Sequence, residues 1–373
     1  MFEGLESYAS ALALPAPPAA PLRHATILAP LGIPTRFEAD SDALLAAAIA
    51  VYGEPGPLLE GHGAALGAAR ASRHVTPRVL LLTAPHGPGA GPPGHGGPLR
   101  ISADRESLLL AAADAAGRAR RTDMTAIARL APVLLADADR LRAVLDALVL
   151  FLLTALDRQP VHAAAIARDG AALVLAGPGG IGKSTLAYAA LRAGLDVLGD
   201  DAVYVELAGT FRVWSLGRPI HLAPEAARWF PELAGRPAVL RANGKRRIVV
   251  PLRPGPAPAH AEGSRTPAHA PGRASPHGLL RPEGRQAPPP ERAGLCLLER
   301  EAGSAAASAE PIAPDEAVIR LVSSLDPGFD VWRGTIGARI AALARGGAWR
   351  LRVGDDPRAA VPVMRELLDR VAR

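Results

Sequence analysis

The sequence predicts an α/β fold in which a larger C-terminal domain, residues 158–373, follows a smaller α/β domain, residues 25–157. In the C-terminal part, apolar segments of strand length alternate with a helical segment in the order strand, loop, helix, strand, which is typical of sheets with a parallel component. In the N-terminal part, short apolar strands flank an alanine-rich helix. A chain of 373 residues is long enough for two domains that each bury a core.

The elements expected in the smaller domain follow from periodicity and turn chemistry. Residues 1–24 are rich in alanine and proline and are expected to be flexible. Ser41 or Asp42 is expected to cap the alanine-rich helix, and the Gly-, Pro- and His-rich stretch 85–98 is expected to be a loop. The predicted strands are 25–28, 35–38 and 78–83, and the predicted helices are 41–52 and 137–157.

In the larger domain, residues 161–167 and 171–176 are predicted to be paired strands joined by a turn at Asp169 and Gly170. Ten of the 37 residues in 254–290 are proline, so this segment is predicted to be a disordered insertion. The other predicted strands are 196–198, 202–207, 248–250, 294–298 and 348–353, and the predicted helices are 183–193, 314–325 with Asp315 as its cap, and 356–371.

Composition excludes several classes of protein. The formal charge is +6, but the basic residues are scattered and only four Trp and four Tyr could stack on bases, so we expect no nucleic-acid partner. The most apolar stretch, 141–156, contains Arg142 and Asp146 and is shorter than the ~20 residues of a membrane span, so we expect no membrane partner. The N-terminus lacks a secretory pattern and predicts a cytoplasmic protein. The single cysteine, Cys296, is expected to be a buried, inert thiol.

One motif carries specific chemistry. Residues 177–184 match G-x-x-x-x-G-K-[ST], in which the glycines let backbone N–H groups turn towards phosphate oxygens at a helix N-terminus. Lys183, one of only two lysines, would reach the β- and γ-phosphates, and Ser184 would bind Mg²⁺. The alternative is a glycine-rich turn that merely links strand to helix. The predicted nucleotide-binding residues are Gly177, Pro178, Gly179, Gly180, Ile181, Gly182, Lys183, Ser184 and Thr185.

Two further features lie on either side of this loop. Asp200 and Asp201 end a short strand seventeen residues beyond Lys183, where one acid could bind a metal and the other take a proton from a hydroxyl. They could instead form a cap or turn. His162 lies on the strand before the loop strand, and by itself it is more often a core residue than a catalyst.

Together these features resemble the catalytic domain of the bacterial HPr kinase/phosphorylase family, which carries a strand histidine, a loop G-x-x-G-x-G-K-S and an Asp-Asp pair. The resemblance covers residues 161–205 and more loosely the remainder of the chain. It implies an ATP- and Mg²⁺-dependent kinase in which His162 supports the catalytic base. By analogy Asp200 is expected to be that base and Asp201 to join Ser184 at the metal, although the two acids could exchange these roles.

The resemblance also bears on the acceptor. The chain departs from the family's loops at Pro178 and Thr185, and its proline-rich insertion falls where those enzymes contact their substrate, so we expect an acceptor other than HPr. Broader relatives phosphorylate a serine of a precursor peptide. We therefore expect a protein or peptide acceptor, recognised by the smaller domain. Whether the chain also forms a homo-oligomer stays open.

A basic segment, 243–247, precedes the predicted strand 248–250. Lys245 there could contact the γ-phosphate or an anionic substrate, although Asn-Gly is also a strong turn signal. His221 could line the same cleft or pack ordinarily. A different class of function also fits the motif, namely an ATP-binding regulator or scaffold that transfers no phosphate and does not need the acid pair.

Overall fold

The structure is a computed structural model that describes residues 21–53, 76–84, 97–208, 211–241, 244–252, 279–280, 286–287, 289–323 and 333–373. The chain divides into two compact units, Met1–Arg158 and Gln159–Arg373. Both units combine helices with β-sheets, so the protein is of mixed α/β class.

In the part of the first unit that the structure describes, a seven-stranded sheet is accompanied by two helices. The strand order is β1-β2-β3-β7-β6-β5-β4, in which β3 pairs parallel with both β2 and β7. The elements are β1 (His24–Leu28), β2 (Thr35–Ala39), α1 (Asp42–Tyr52), β3 (Arg78–Thr83), β4 (Arg100–Ala103), β5 (Ser107–Ala112), β6 (Ala115–Arg120), β7 (Thr125–Leu130) and α2 (Ala138–Thr154).

The sequence prediction is confirmed for β1 to β3 and both helices, within a few residues at the ends, and Ser41 caps α1. The prediction contained no element between residues 98 and 137, where the structure has the antiparallel run β4 to β7. Its strands consist largely of alanine, leucine and arginine, which carry little strand preference; pairing and burial decide their conformation.

The N-terminal segment was expected to be flexible as far as residue 24, and the structure differs at its end. The backbone N–H of Leu22 donates a hydrogen bond to Glu38 at 2.9 Å, and β1 begins at His24. Glu38 is buried and also accepts from Arg36 and Arg78. Residues 1–20 lie outside the described part of the chain.

The second unit is built on an eight-stranded sheet in the order β18-β17-β11-β9-β10-β19-β21-β20, with two three-stranded sheets, β13-β12-β8 and β14-β16-β15. The elements are β8 (Gln159–Val161), β9 (Ala163–Arg168), β10 (Ala171–Ala176), α3 (Lys183–Arg192), β11 (Asp196–Gly199), β12 (Val203–Glu206), β13 (Arg212–Trp214), β14 (Ile220–Leu222), β15 (Ala238–Leu240), β16 (Arg246–Val250), β17 (Leu279–Leu280), β18 (Gln286–Ala287), β19 (Arg292–Arg300), β20 (Ser308–Pro311), α4 (Pro314–Ser323), α5 (Arg333–Arg345), β21 (Ala348–Val353) and α6 (Ala360–Ala372).

The large sheet has a core on each face. β10 and β19 run parallel at its centre, as do β19 and β21. Along β10, Leu173 and Leu175 pack towards α3, α6 and the β14-β16-β15 sheet, whereas Val174 points to the opposite face, which α4 and α5 cover. This alternation is the period of two expected for a strand that is buried on both sides.

Several sequence predictions are confirmed here, and others are wrong. The turn at Asp169 and Gly170 joins β9 to β10, with both residues at positive φ. The single strand predicted over 161–167 is two strands, since β8 pairs with β12 and β9 with β10, and His162 lies at the break between them. Asp315 lies within the first turn of α4 and does not cap it. The predicted helix 356–371 begins as a 3-10 turn, and α6 proper starts at Ala360.

The prediction of disorder over 254–290 falls mostly on residues outside the described part of the chain. Within it, β17 and β18 pair with each other, and Leu280 of β17 pairs with Val197 of β11. These short strands differ from the prediction because pairing with an existing sheet edge can hold a segment that has no strand pattern of its own. None of the described helices combines the length and apolarity needed to cross a membrane.

Candidate functional site

The loop after β10 joins the centre of the large sheet to the N-terminus of α3. Every residue of β10 is buried, and α3 begins at Lys183 with Gly182 as its N-cap. Gly180 and Gly182 have φ of 84° and 113°, values that residues with a Cβ rarely adopt. The loop therefore wraps the helix N-terminus, where backbone N–H groups and the helix dipole attract anions.

Lys183 is folded back over this loop. Its Nζ donates to the carbonyl oxygens of Gly177 at 2.7 Å and Pro178 at 3.2 Å, and its side chain is largely buried. The first two loop residues thus hold the ammonium group by their carbonyls, while Ile181 packs against the core beneath the loop. This arrangement aims a compact cation at the space that the loop encloses.

A cleft of about 340 Å³ opens over the loop, a volume within the range of small-molecule sites. It brings together most of the residues that the sequence singled out, from segments as distant as 162 and 245. Gly177, Pro178 and Ile181 do not line it. The lining residues are His162, Gly179, Gly180, Gly182, Lys183, Ser184, Thr185, Asp200, Asp201, His221, Ala223, Arg241, Lys245 and Arg247.

Asp200 is the buried acid of the cleft. It follows the end of β11, is only 5 % exposed, and its Oδ2 accepts a hydrogen bond from the backbone N–H of His221 at 2.8 Å. Its Oδ1 is buried and accepts no hydrogen bond within the described part of the chain. Burial raises the pKa of Asp200 to about 6, although the His221 N–H, the nearby Ser184 hydroxyl and Lys183 oppose the increase. A buried carboxylate with an unsatisfied oxygen is stabilised by a cation.

Asp201 differs from its neighbour in both exposure and partner. Its side chain is 88 % exposed, and its Oδ1 lies 3.5 Å from Nε2 of His162, whose side chain is 22 % exposed. The family resemblance implied that His162 supports Asp200 as the catalytic base. The structure brings Nε2 of His162, at the break between β8 and β9, to 3.5 Å from Oδ1 of Asp201.

The sheet β14-β16-β15 forms a basic wall of the cleft. Its residues on one face, including Ile220, Ile248 and Ala238, pack into the core. His221 and Arg247 belong to the opposite face by strand register, and both line the cleft. The β15–β16 hairpin closes with Arg241 N–H donating to Lys245 O at 3.0 Å.

Lys245 belongs to this hairpin and also lines the cleft. Its contact with a phosphate or an anionic substrate stays a prediction. Arg241 was missed by sequence reasoning. Its signal, a second cation at the base of the same predicted hairpin, was present in the sequence.

Arg300 is a second residue that sequence reasoning missed. β19 runs parallel to β10 with Leu297 beside Ala176, so Arg300 extends past the strand to the level of the loop. A Cβ on Gly182 would lie 4.0 Å from Nη1 of Arg300. Two cations, Arg300 and Lys183, beside the positive end of a helix repel each other unless an anion lies between them. The carboxyl end of a strand next to the loop strand was the signal that could have found it.

Comparison with known proteins adds little to this geometry. No protein-family model matches the chain, and no curated protein matches it. Among solved structures, the Hpr(Ser) kinase/phosphatase from Coxiella burnetii is similar at a TM-score of 0.22 and 11 % sequence identity, over 57 % of this chain and 95 % of that one. A likeness at that TM-score is too low to carry an argument about fold or function. What the cleft can bind follows from its own chemistry, which is a glycine loop at a helix N-terminus, a buried acid and a basic wall.

Proposed function

We propose that this chain is a kinase of the HPr kinase-like type, which transfers the γ-phosphoryl group of ATP to a hydroxyl, most simply that of a serine in a protein or peptide. One observation carries the proposal: Lys183 and the buried carboxylate of Asp200 line one cleft at a glycine loop, with Ser184 beside both. A loop that only links strand to helix would need neither a buried lysine nor a buried acid.

The residues present fit a magnesium–nucleotide complex. The loop N–H groups and Lys183 would hold the β- and γ-phosphates. Ser184 and the unsatisfied Oδ1 of Asp200 are hard oxygen ligands in one cleft, as a divalent cation requires. When bound, Mg²⁺ would neutralise charge on the β- and γ-phosphates.

We assign the two acids the roles opposite to those expected from the family resemblance. Asp200 is beside Ser184 and buried, which suits the metal side. Asp201 is exposed towards an incoming acceptor and is paired with His162 at 3.5 Å, which suits the base. In the transfer, the serine oxygen forms a bond to the γ-phosphorus, the bond to the β-phosphate oxygen breaks, ADP leaves, and Asp201 accepts the hydroxyl proton.

Charge stabilisation would come from both sides of the loop. Arg241, Lys245 and Arg247 line the wall of the cleft, and Arg300 lies beside Gly182. Fixed cations around a transferring phosphoryl group stabilise the charge of the transition state without reorganising solvent. The residues that line the cleft belong to the second unit, which leaves the first unit available to help recognise other parts of the acceptor.

The proposal is tested by incubating the protein with Mg²⁺, radiolabelled ATP and a library of serine peptides. Transfer is expected for the wild type and to be lost in Lys183→Ala and Asp201→Asn. Nucleotide binding, measured separately by calorimetry, is expected to fail in Lys183→Ala and to persist in Asp201→Asn.

The alternative, an ATP-binding regulator, predicts a different pattern. It would bind nucleotide through Lys183 yet show no transfer to any peptide or protein, and Asp201→Asn would then leave its biological activity unchanged. Transfer that survives in both variants would contradict the kinase proposal.

A further inference from the structure

Among the described strands, the outer edge of β15 has no neighbouring strand, and the carbonyl of Ala238 on β15 accepts a hydrogen bond from Nη2 of Arg246 at 3.3 Å. β15 is the last strand of its sheet and pairs only with β16 among the described strands. Val239 and Leu240 on it are 47 % and 68 % exposed, which is unusual for large apolar side chains. An exposed apolar edge is a surface on which an extended chain can add a strand through backbone hydrogen bonds.

This edge leads into the cleft. β15 ends at Leu240, and the next residue, Arg241, lines the cleft. By strand register Val239 lies on the same face as Arg247 and His221, which also line it. A chain that pairs with β15 and continues past Leu240 therefore arrives at the mouth of the cleft, where the γ-phosphate would lie.

The positive charge of the β15–β16 hairpin favours one kind of peptide as the strand that pairs with β15. Residues 233–261 contain six arginines and lysines and no aspartate or glutamate. Four of these cations, Arg241, Lys245, Arg246 and Arg247, belong to the β15–β16 hairpin and its flank. A complementary partner is acidic, because like charges at an interface repel.

Two parts of this same protein could be considered as the partner of the β15 edge, namely the segment 253–288 and a second copy of the chain, and both fit poorly. The segment 253–288 carries five arginines and two glutamates, so its net charge has the same sign as that of the hairpin. A second copy of the chain would place one basic hairpin against another. An acidic acceptor has neither defect.

We propose that the edge of β15 binds an extended, acidic peptide segment of the phosphate acceptor by strand addition, with the acceptor serine next to the paired segment. The inference rests on the proposed function, whose acceptor class it narrows. Alternate side chains of the added strand would contact Val239 and Arg247 on the cleft face, while its backbone pairs with β15 about 4.8 Å away.

The test measures binding of fluorescein-labelled peptides by anisotropy in the absence of nucleotide. One probe alternates valine with glutamate and ends in serine, and its counterpart has lysine in place of glutamate. Wild-type protein is expected to bind the glutamate peptide at least about tenfold more tightly, and added salt is expected to weaken that binding.

Leu240→Glu tests the edge itself. It is expected to weaken binding of the glutamate peptide about tenfold by removing an apolar contact and adding repulsion. Ile319→Glu is the matched control, because Ile319 is also 68 % exposed but lies on α4. This control is expected to bind like the wild type, and both variants are expected to bind magnesium–ATP normally, since neither residue lines the cleft.

Several results would overturn the inference. Equal affinity for both peptides, or equal effects of Leu240→Glu and Ile319→Glu, would remove the edge as the docking site. If single-stranded DNA displaced the peptide and bound Leu240→Glu as tightly as the wild type, the surface would be a general binding site for polyanions and not a peptide-docking edge. Dimerisation that Leu240→Glu abolishes would assign the edge to a second copy. Because docking is measured without ATP, its failure is separate from failure of phosphoryl transfer.

Discussion

Replacing Asp200 with asparagine is expected to stabilise the nucleotide- and metal-free protein while it abolishes phosphoryl transfer. Asp200 is 5 % exposed, and its Oδ1 accepts no hydrogen bond within the described chain. Asparagine has nearly the same shape. Its oxygen can still accept from the His221 N–H, now 2.8 Å from Asp200 Oδ2, and its NH₂ group can donate to the nearby Ser184 hydroxyl. The variant removes a buried charge and keeps the size of the side chain.

The magnitude follows from the cost of that unsatisfied group. A buried polar group without a partner costs about 1–3 kcal/mol, so the free energy of unfolding is expected to rise by about that amount. In a domain the size of the second unit, each kcal/mol changes Tm by about 2–4 °C, so an increase of about 2–12 °C is expected. If a cation binds at Asp200, the wild type is expected to become more stable than Asp200→Asn, because the cation compensates the charge of the carboxylate but does not bind the neutral amide as well.

The assay is urea and thermal unfolding followed by circular dichroism, with EDTA present and then with Mg²⁺ and ADP. Asp201→Asn is the matched control: its side chain is 88 % exposed, so its stability is expected to stay within about 0.5 kcal/mol of the wild type. With EDTA, a less stable Asp200→Asn, or an equal gain in Asp201→Asn, would refute the reasoning. With Mg²⁺ and ADP, the wild type is expected to gain more stability than Asp200→Asn.

Three further predictions concern other parts of the chain. The hydrogen bond from Arg78 holds the pKa of Glu38 at about 2, against 4.5 when unfolded. Together with the hydrogen bonds from the Leu22 N–H and from Arg36, this bond should contribute about 2–3 kcal/mol above pH 4.5, and that stability is lost as the pH falls towards 2. Glu38→Gln should therefore unfold at lower urea at pH 7 and match the wild type near pH 2; a deficit that does not shrink with acid would contradict the assignment. Arg300→Ala is expected to lower kcat about tenfold or more, with a smaller loss of ADP affinity. Arg300→Lys is expected to restore part of the rate. An unchanged kcat in Arg300→Ala would show that Arg300 does not act at the site. Gly182→Ala is expected to weaken ADP binding about five- to 150-fold in calorimetry, because φ of 113° strains a residue with a Cβ by about 1–3 kcal/mol. Unchanged affinity would show that the loop does not need this conformation.

Much of the fold could be predicted because many of its signals are local. The helix at Lys183, the turn at Asp169 and Gly170, and the strand 78–83 follow from glycine positions and from the period of apolar residues, and the structure confirms them. The strands β4 to β7 could not be found this way. Alanine, leucine and arginine favour helices as readily as strands, so only pairing with neighbours in the sheet decides their conformation.

The residues of the candidate site could also be predicted from local patterns, whereas their contacts with one another could not. The sequence identified the loop, both acids, His162 and Lys245, because each belongs to a short pattern with its own chemistry. It could not assign partners to them. Partners depend on which strand ends meet at one edge of a sheet, and that is set by the order of β9, β10 and β19.

By itself the sequence determined that a glycine loop with a lysine and a hydroxyl precedes a helix, because φ restrictions and side-chain chemistry act within a few residues. Only the tertiary structure decided that Asp200 is buried beside Ser184 while Asp201 faces solvent with His162. It also decided that Arg300 reaches the loop from a neighbouring strand. Burial and long-range contact depend on how the whole unit packs, and no local pattern records them.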